Sequence, residues 1–135
     1  MDNFKRIPYT EAQMDICKTL QVGNIVFMSG TEALDYSKNA TVAGTIEEQV
    51  AVIVFKMNDT LVRHGLTLAN MVKHTIYLKK GAAEPIRVLE LFHSECYKYA
   101  PDLRTHPSTG TIVVVEGLVI EEFMLEVDAI AAIPE

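Results

Sequence analysis

The chain closes on an apolar run, Phe123-Met124-Leu125-Glu126-Val127-Asp128-Ala129-Ile130, that carries two carboxylates two residues apart. Side chains alternate faces along a strand, so Leu125, Val127 and Ala129 share one face while Glu126 and Asp128 share the other. Residues 123–132 are therefore expected to form a strand with one packed face and one face that is either wet or functional. The same period of two marks residues 14–22, 25–28, 71–78 and 111–118. In 71–78, Val72, His74, Ile76 and Leu78 fall on one side and Lys73, Thr75 and Tyr77 on the other. Gly23-Asn24 between the first two runs signals a hairpin turn. Ser29-Gly30 closes the second run, and a short turn around Ile120-Glu121-Glu122 joins the last two.

Two stretches carry the helical period instead. Apolar residues recur at Ile46, Val50, Ile53, Val54, Met57 and Leu61, with Thr45 as N-cap, Glu48 completing a capping box and Gly65 as the stop. Val52 and Phe55 lie outside that stripe, which is apolar surface beyond what one sheet face needs and suits a subunit contact. The second helix is expected over 84–99, with Pro85 in its first turn, Ile86, Leu89, Leu91, Phe92 and Cys96 on its apolar side, and Pro101 ending it. Residues 1–13, 31–44 and 101–110 read as irregular. The order is β-β-α-β-α-β-β. Two helices on one face of a mixed sheet bury such a set economically, so the fold class is α+β. No linker or repeat divides the chain, and 1–135 reads as one domain.

Charge removes several function classes. The net charge of −6 and the isolated pairs Lys5-Arg6 and Lys79-Lys80 leave no basic stripe, so no nucleic-acid partner is expected. No apolar run is long enough to span a bilayer and no secretory h-region opens the chain, so no membrane association and a cytoplasmic location are expected. Cys17 and Cys96 show no metal or redox spacing and read as two free thiols. His64, His74, His93 and His106 form no ligand pattern, and neither a metal nor a cofactor is expected. His74, among apolar neighbours, reads as a hydrogen-bonded core histidine. His64 reads as a cation at the C-terminal end of the first helix.

Among groups that do chemistry, Glu126 is the best acid or base, because a carboxylate on a rigid strand among apolar residues has a raised pKa suited to proton transfer. Its plain alternative is a solvated or interface-pairing carboxylate, and Asp128 reads as structural. Gly30 permits a sharp exit from its strand or close approach of another group. Ser108-Thr109-Gly110-Thr111 offers hydroxyls and backbone N–H groups for a small anion-binding concavity, or is simply a loop.

Taken together, Val22-Gly23-Asn24-Ile25-Val26-Phe27-Met28-Ser29-Gly30, Thr45-Ile46-Glu47-Glu48-Gln49, Val72-Lys73-His74-Thr75-Ile76-Tyr77-Leu78 and Leu125-Glu126-Val127-Asp128-Ala129-Ile130-Ala131 resemble the RidA family. That family is also called YjgF/YER057c/UK114 and, in older usage, L-PSP endoribonuclease. The resemblance covers nearly the whole chain in the right order. It implies a chorismate-mutase-like fold of the bacillus type, a homotrimer, and small-molecule clefts between subunits. It also implies hydrolysis of reactive enamines and imines such as 2-aminoacrylate to 2-oxo acids and ammonia. In archetypal members an arginine at the head of the fourth long strand grips the substrate carboxylate and a glutamate in the last strand positions water.

Glu126 falls on that glutamate, as the catalytic residue, and Ser29 and Gly30 fall on the family's serine-glycine. Anchored on Val113-Val114-Val115, Gly110 followed by Thr111 falls where the family has its arginine step, and Arg104 in the preceding loop is the substitute within reach. The family's tyrosine near the first strand falls close to Ile16, with Tyr9 upstream as the aromatic that would compensate. Ser29, Gly30, Gly110, Thr111 and Arg104 are thus the expected substrate-binding set. Without the guanidinium a 2-imino acid loses a contact worth on the order of 2–5 kcal/mol. The resemblance therefore implies a divergent hydrolase or deaminase of a small imine, enamine or related C–N compound, for which archetypal 2-aminoacrylate deamination is doubtful. The alternative is a non-catalytic metabolite-binding trimer. A ribonucleolytic or chaperone-like role ranks last, against the acidic charge.

Overall fold

The computed structural model describes residues 2–9, 15–35, 41–42 and 44–135. Its strands are β1 (Lys5–Pro8), β2 (Cys17–Val22), β3 (Ile25–Thr31), β4 (Leu34–Asp35), β5 (Thr41–Val42), β6 (Met71–Lys79), β7 (Thr109–Val115) and β8 (Leu125–Ala132), with helices α1 (Ile46–Val62) and α2 (Pro85–Tyr99). Six strands make one mixed sheet in the order β1-β2-β3-β8-β6-β7, while β4 and β5 pair separately. β6 and β7 are parallel, which requires a crossover, and α2 supplies it. β8 lies antiparallel between β3 and β6 at the middle of the sheet.

Burial along β8 alternates strictly, with Leu125, Val127, Ala129 and Ala131 buried and the residues between them partly open. The packed face meets Val50, Ile53, Val54, Met57 and Leu61 of α1 and Val88, Phe92 and Cys96 of α2 in one apolar cluster. Both helices therefore cover one face, and the face that carries Glu126 and Asp128 is left open. Thr45 caps α1 by accepting the Glu48 N–H at 3.1 Å, and its hydroxyl donates to Glu48 Oε1 at 2.8 Å. Among the described residues no helix is long and apolar enough to cross a membrane.

Several boundaries differ from expectation. Residues 5–8 are an edge strand rather than an irregular lead-in, paired with β2 and ending at Pro8 where the register shifts. A four-residue strand carrying Lys5, Arg6 and a proline has no readable period, and these are residues that protect an edge. The next strand starts at Cys17, and Met14 lies outside the described residues. Part of 31–44 is the β4–β5 ladder, with 36–40 and 43 outside the described residues. In β6 the alternation breaks at its start, where Met71 is buried and Val72 is 44% exposed across a bulge against β8. β7 begins at Thr109 and ends at Val115, two residues earlier at its head and three earlier at its end than expected, and Pro101–Arg104 is a 3₁₀ turn. Phe123 is buried in the turn before β8, not in the strand.

Candidate functional site

Register places the polar residues of the open face. Glu126 pairs with Tyr77 and Asp128 with Thr75 across β8–β6, and Thr75 pairs with Thr111 and Lys73 with Thr109 across β6–β7. These residues share a face by alternation. On the other side of β8, the β3 register shifts between Met28 and Thr31. That irregularity brings the Gly30 backbone against the Glu126 side chain, so a Cβ at Gly30 would run into the carboxylate. Gly30 thus serves close approach, one of the two roles its sequence position allowed. Its carbonyl accepts from the Tyr9 hydroxyl at 3.4 Å, which brings the upstream aromatic to this corner. The Ser29 hydroxyl donates to the Cys17 carbonyl at 2.6 Å and ties β3 to β2.

The electrostatics of the two carboxylates differ. Glu126 is half-buried, and among the described residues its carboxylate has no hydrogen-bond or ion-pair partner. Burial pushes its pKa up, and the charges of Glu32 and Asp128 add to that. Asp128 accepts from the Tyr77 hydroxyl at 2.9 Å. Glu32 is engaged by Lys56, whose Nζ lies 3.0 Å from Oε1 and 2.9 Å from the Glu32 carbonyl. A carboxylate with a raised pKa, backed by glycine instead of a side chain, can hold a water and take its proton. A cleft of about 360 Å³ opens next to this corner between β3 and α1, lined by Gly30, Thr31, Tyr9, Val52, Phe55 and Lys56 among others.

Gly110 and Arg104 are not brought to this face. Gly110 pairs with His74 on β6, and a Cβ there would sit 2.5 Å from His74 Nε2 and 2.6 Å from Cε1. His74 is 3% exposed and packs on the helix side, its ring centroid 5.1 Å from Phe92 and 5.7 Å from His93. A side chain at 110 therefore points into the core. The residues of this strand segment on the Glu126 face are Thr109 and Thr111. Arg104 lies over the Tyr97 ring of α2 at 4.5 Å, in the helix layer. The other three arginines pair with Asp2, Asp59 and Glu47, and no arginine contacts Glu126. Which side of a parallel strand meets its neighbour is a matter of register, and one sequence carries no direct sign of it.

His74 is the core histidine that its neighbours imply. Its Nδ1 is 2.8 Å from Ser108 Oγ, its Nε2 is buried without a partner, and burial, with lesser help from His93 and Lys73, lowers its pKa to about 4. The stability contributed by the neutral ring is complete above the ordinary value of 6.5 and is lost as pH falls through about 4. The expected loss is about 3 kcal/mol. Urea midpoints measured from pH 7 to pH 4 should fall accordingly, and a His74→Gln chain should fall less steeply; equal slopes would remove His74 as the cause.

His64 departs from its expected role as a helix-end cation. Its Nε2 lies 2.7 Å from Thr19 Oγ1 and its Nδ1 3.1 Å from Gln21 Oε1, and burial and Lys5 lower its pKa. It is a neutral link between the end of α1 and β2. Cys17 and Cys96 are free thiols, and burial pushes the Cys96 thiol up to about 12. Among the described residues no group of three or more His, Cys, Asp or Glu could hold a metal ion.

Comparison with known proteins agrees with this layout. The family model described as endoribonuclease L-PSP matches residues 8–133. A RutC family protein of Pyrococcus abyssi is 32% identical over 72 residues, 53% of this chain and about half (51%) of that protein. A Rid family protein of Yersinia pestis superposes with a TM-score of 0.76 at 18% identity, covering 96% of this chain and 99% of that one. A YjgF/YER057c/UK114 protein of Mycobacterium tuberculosis does so with 0.74 at 16% identity, covering 97% and 100%.

Proposed function

Because the chain belongs to the endoribonuclease L-PSP family, the one its sequence resembles under the names RidA and YjgF, we propose that it hydrolyses a small imine or enamine with Glu126 as the acid–base group. The observation that carries this reading is the state of Glu126: half-buried, held against Gly30, raised in pKa and partnerless among the described residues. Water adds to the imine carbon and forms the C–O bond while the C=N pair moves to nitrogen. Glu126 takes the proton that the water gives up and returns it to nitrogen. Collapse of the carbinolamine then breaks the C–N bond, leaving a carbonyl compound and ammonia. An enamine first gains a proton at carbon to become the imine.

Ser29 and Gly30 on one side and Thr111 on the other are the residues placed to bound the substrate. With Gly110 turned to the core and Arg104 on Tyr97, no guanidinium of this chain faces the site. This supports a substrate without a carboxylate over a 2-imino acid. The net charge of −6 argues against RNA, whose phosphates need a basic surface. A cytoplasmic location fits the two unbridged thiols.

The test is ammonia release from freshly generated imines, one series bearing a carboxylate and one without. Acceleration over buffer in the second series supports the reading. No acceleration in either series at high protein concentration overturns it and favours a non-catalytic metabolite-binding protein, the reading to which the missing guanidinium also lends weight. The assembly expected is a homotrimer, because Phe27 and Val113, 45% and 38% exposed, lie on the same face as Glu126 and leave apolar surface to cover. A solution mass of about 45 kDa, three chains of 15.0 kDa, is the expected result, and a 15.0 kDa species at working concentration overturns it.

A further inference from the structure

Tyr77 and Asp128 stand beside Glu126, and the hydrolysis written above uses neither. Tyr77 is the cross-strand partner of Glu126, and Asp128 is the next residue of β8 on the same face. The phenol does not serve the carboxylate it is paired with. It donates to Asp128 Oδ2 at 2.9 Å. Of two carboxylates on one face, then, one has a neutral donor and the other has none among the described residues.

That asymmetry matters because carboxylates that interact share their protons as a pair, and neither is then a defined base. A hydrogen bond to the ionised form of one favours its charge, and that charge disfavours ionisation of the other. We propose that Tyr77 is a positioning residue: by holding Asp128 as an anion turned away from Glu126, it reserves the proton of the site for Glu126. The proposal rests on Glu126 being the acid–base group and names what selects it over its neighbour.

The other charged and titratable groups around Glu126 do not supply this selection. Glu32, beyond β3, raises Glu126 as Asp128 does, and Lys56 engages it. The Tyr9 hydroxyl goes to the Gly30 carbonyl, and Lys18 of β2 lies 5.6 Å from the Tyr9 ring. On β6, Lys79 is tied to Glu121 at 3.0 Å, and Lys73 is registered opposite Ile130, four residues along the strand from Tyr77. Tyr77 itself is raised in pKa, chiefly by the bond to Asp128, so it remains a donor throughout the range in which carboxylates titrate.

The experiment is a carboxyl ¹³C NMR titration of the full chain, which needs no substrate, on the wild type, Tyr77→Phe and Asp128→Asn. In the wild type Glu126 is expected to protonate at higher pH than Asp128. Tyr77→Phe should bring the two midpoints together by about half a pH unit or more, and Asp128→Asn should lower the Glu126 midpoint by a similar amount, Glu32 remaining. Midpoints that stay put in both variants, or Asp128 protonating first in the wild type, overturn the proposal. Asp128→Asn keeps the question open to test if Tyr77→Phe folds poorly. Shifts as expected in a chain that releases no ammonia would sink the hydrolase reading alone, whereas an unmoved Glu126 in an active chain would sink the role of Tyr77 alone.

Discussion

Gly110→Arg, the substitution that would restore the archetypal arginine where the sequence places its loss, is expected to unfold the protein rather than equip it. A Cβ at 110 would already lie 2.5 Å from His74 Nε2. The ring cannot step aside easily, because Phe92 and His93 flank it and Ser108 holds Nδ1 at 2.8 Å. Overpacking of this kind costs about 1–3 kcal/mol for a small addition. Driving a guanidinium into the same space without a partner adds several kcal/mol more. Together these approach the whole stability of a domain of this size.

Gly110→Ala isolates the first part and should lower stability by about 1–3 kcal/mol in urea unfolding. Pairing it with His74→Ala should recover some of that loss, with a coupling of about 0.5–3 kcal/mol. Thr109→Arg is the contrasting case. Thr109 is exposed, lies on the Glu126 face, and gives up only its hydroxyl bond to the Val72 carbonyl at 2.7 Å, worth about 1 kcal/mol. That variant should fold, and calorimetry should find that it binds a small 2-oxo acid more tightly than the parent does. A stable Gly110→Arg chain, or no coupling between Gly110→Ala and His74→Ala, would mean that position 110 does not face His74.

The same pair of residues marks the limit of what the sequence could tell. The alternation along β8 was fully legible, because a strand packed on one face writes its burial into every second residue, and Glu126 and Asp128 emerged on the open face as expected. The α1 cap and stripe were legible for the same reason, since they depend on local spacing. Position 110 was not. Its direction depends on the parallel register that sets Gly110 opposite His74, and that register is fixed by α2 and the core rather than by neighbouring residues. The two residues are 36 positions apart, and only their contact explains both the glycine on β7 and the histidine on β6. β1 escaped for another reason: its strand character comes entirely from pairing with β2. Tyr77 was visible as one member of an alternating face, but its bond to Asp128 joins two strands far apart in the chain and has no local signature.

Glu126→Gln should remove hydrolysis while leaving the fold intact, and its stability should change in an informative direction. Glutamine fills the same space against Gly30 but cannot accept the proton of an attacking water. The loss expected of an acid–base group is about 10²–10⁴-fold in kcat on whichever imine the wild type hydrolyses, with little change in KM. The pH profile follows from the direction of the shift. Burial and the charges of Glu32 and Asp128 raise the Glu126 pKa, so the ionised, proton-accepting form becomes available only above the usual carboxylate range. Wild-type activity should therefore rise with pH along an acid limb displaced upward from 4.5, and the residual activity of the variant should lack that limb. Stability moves the other way. A carboxyl whose folded-state pKa is raised favours folding fully below its unfolded value, and that contribution is lost as pH rises through the folded value. Replacing Glu126 by glutamine should consequently raise the urea midpoint at neutral pH and leave it nearly unchanged in acid. A variant that is both less stable and less active would point to a structural carboxylate. One that keeps wild-type turnover would remove Glu126 from the chemistry altogether.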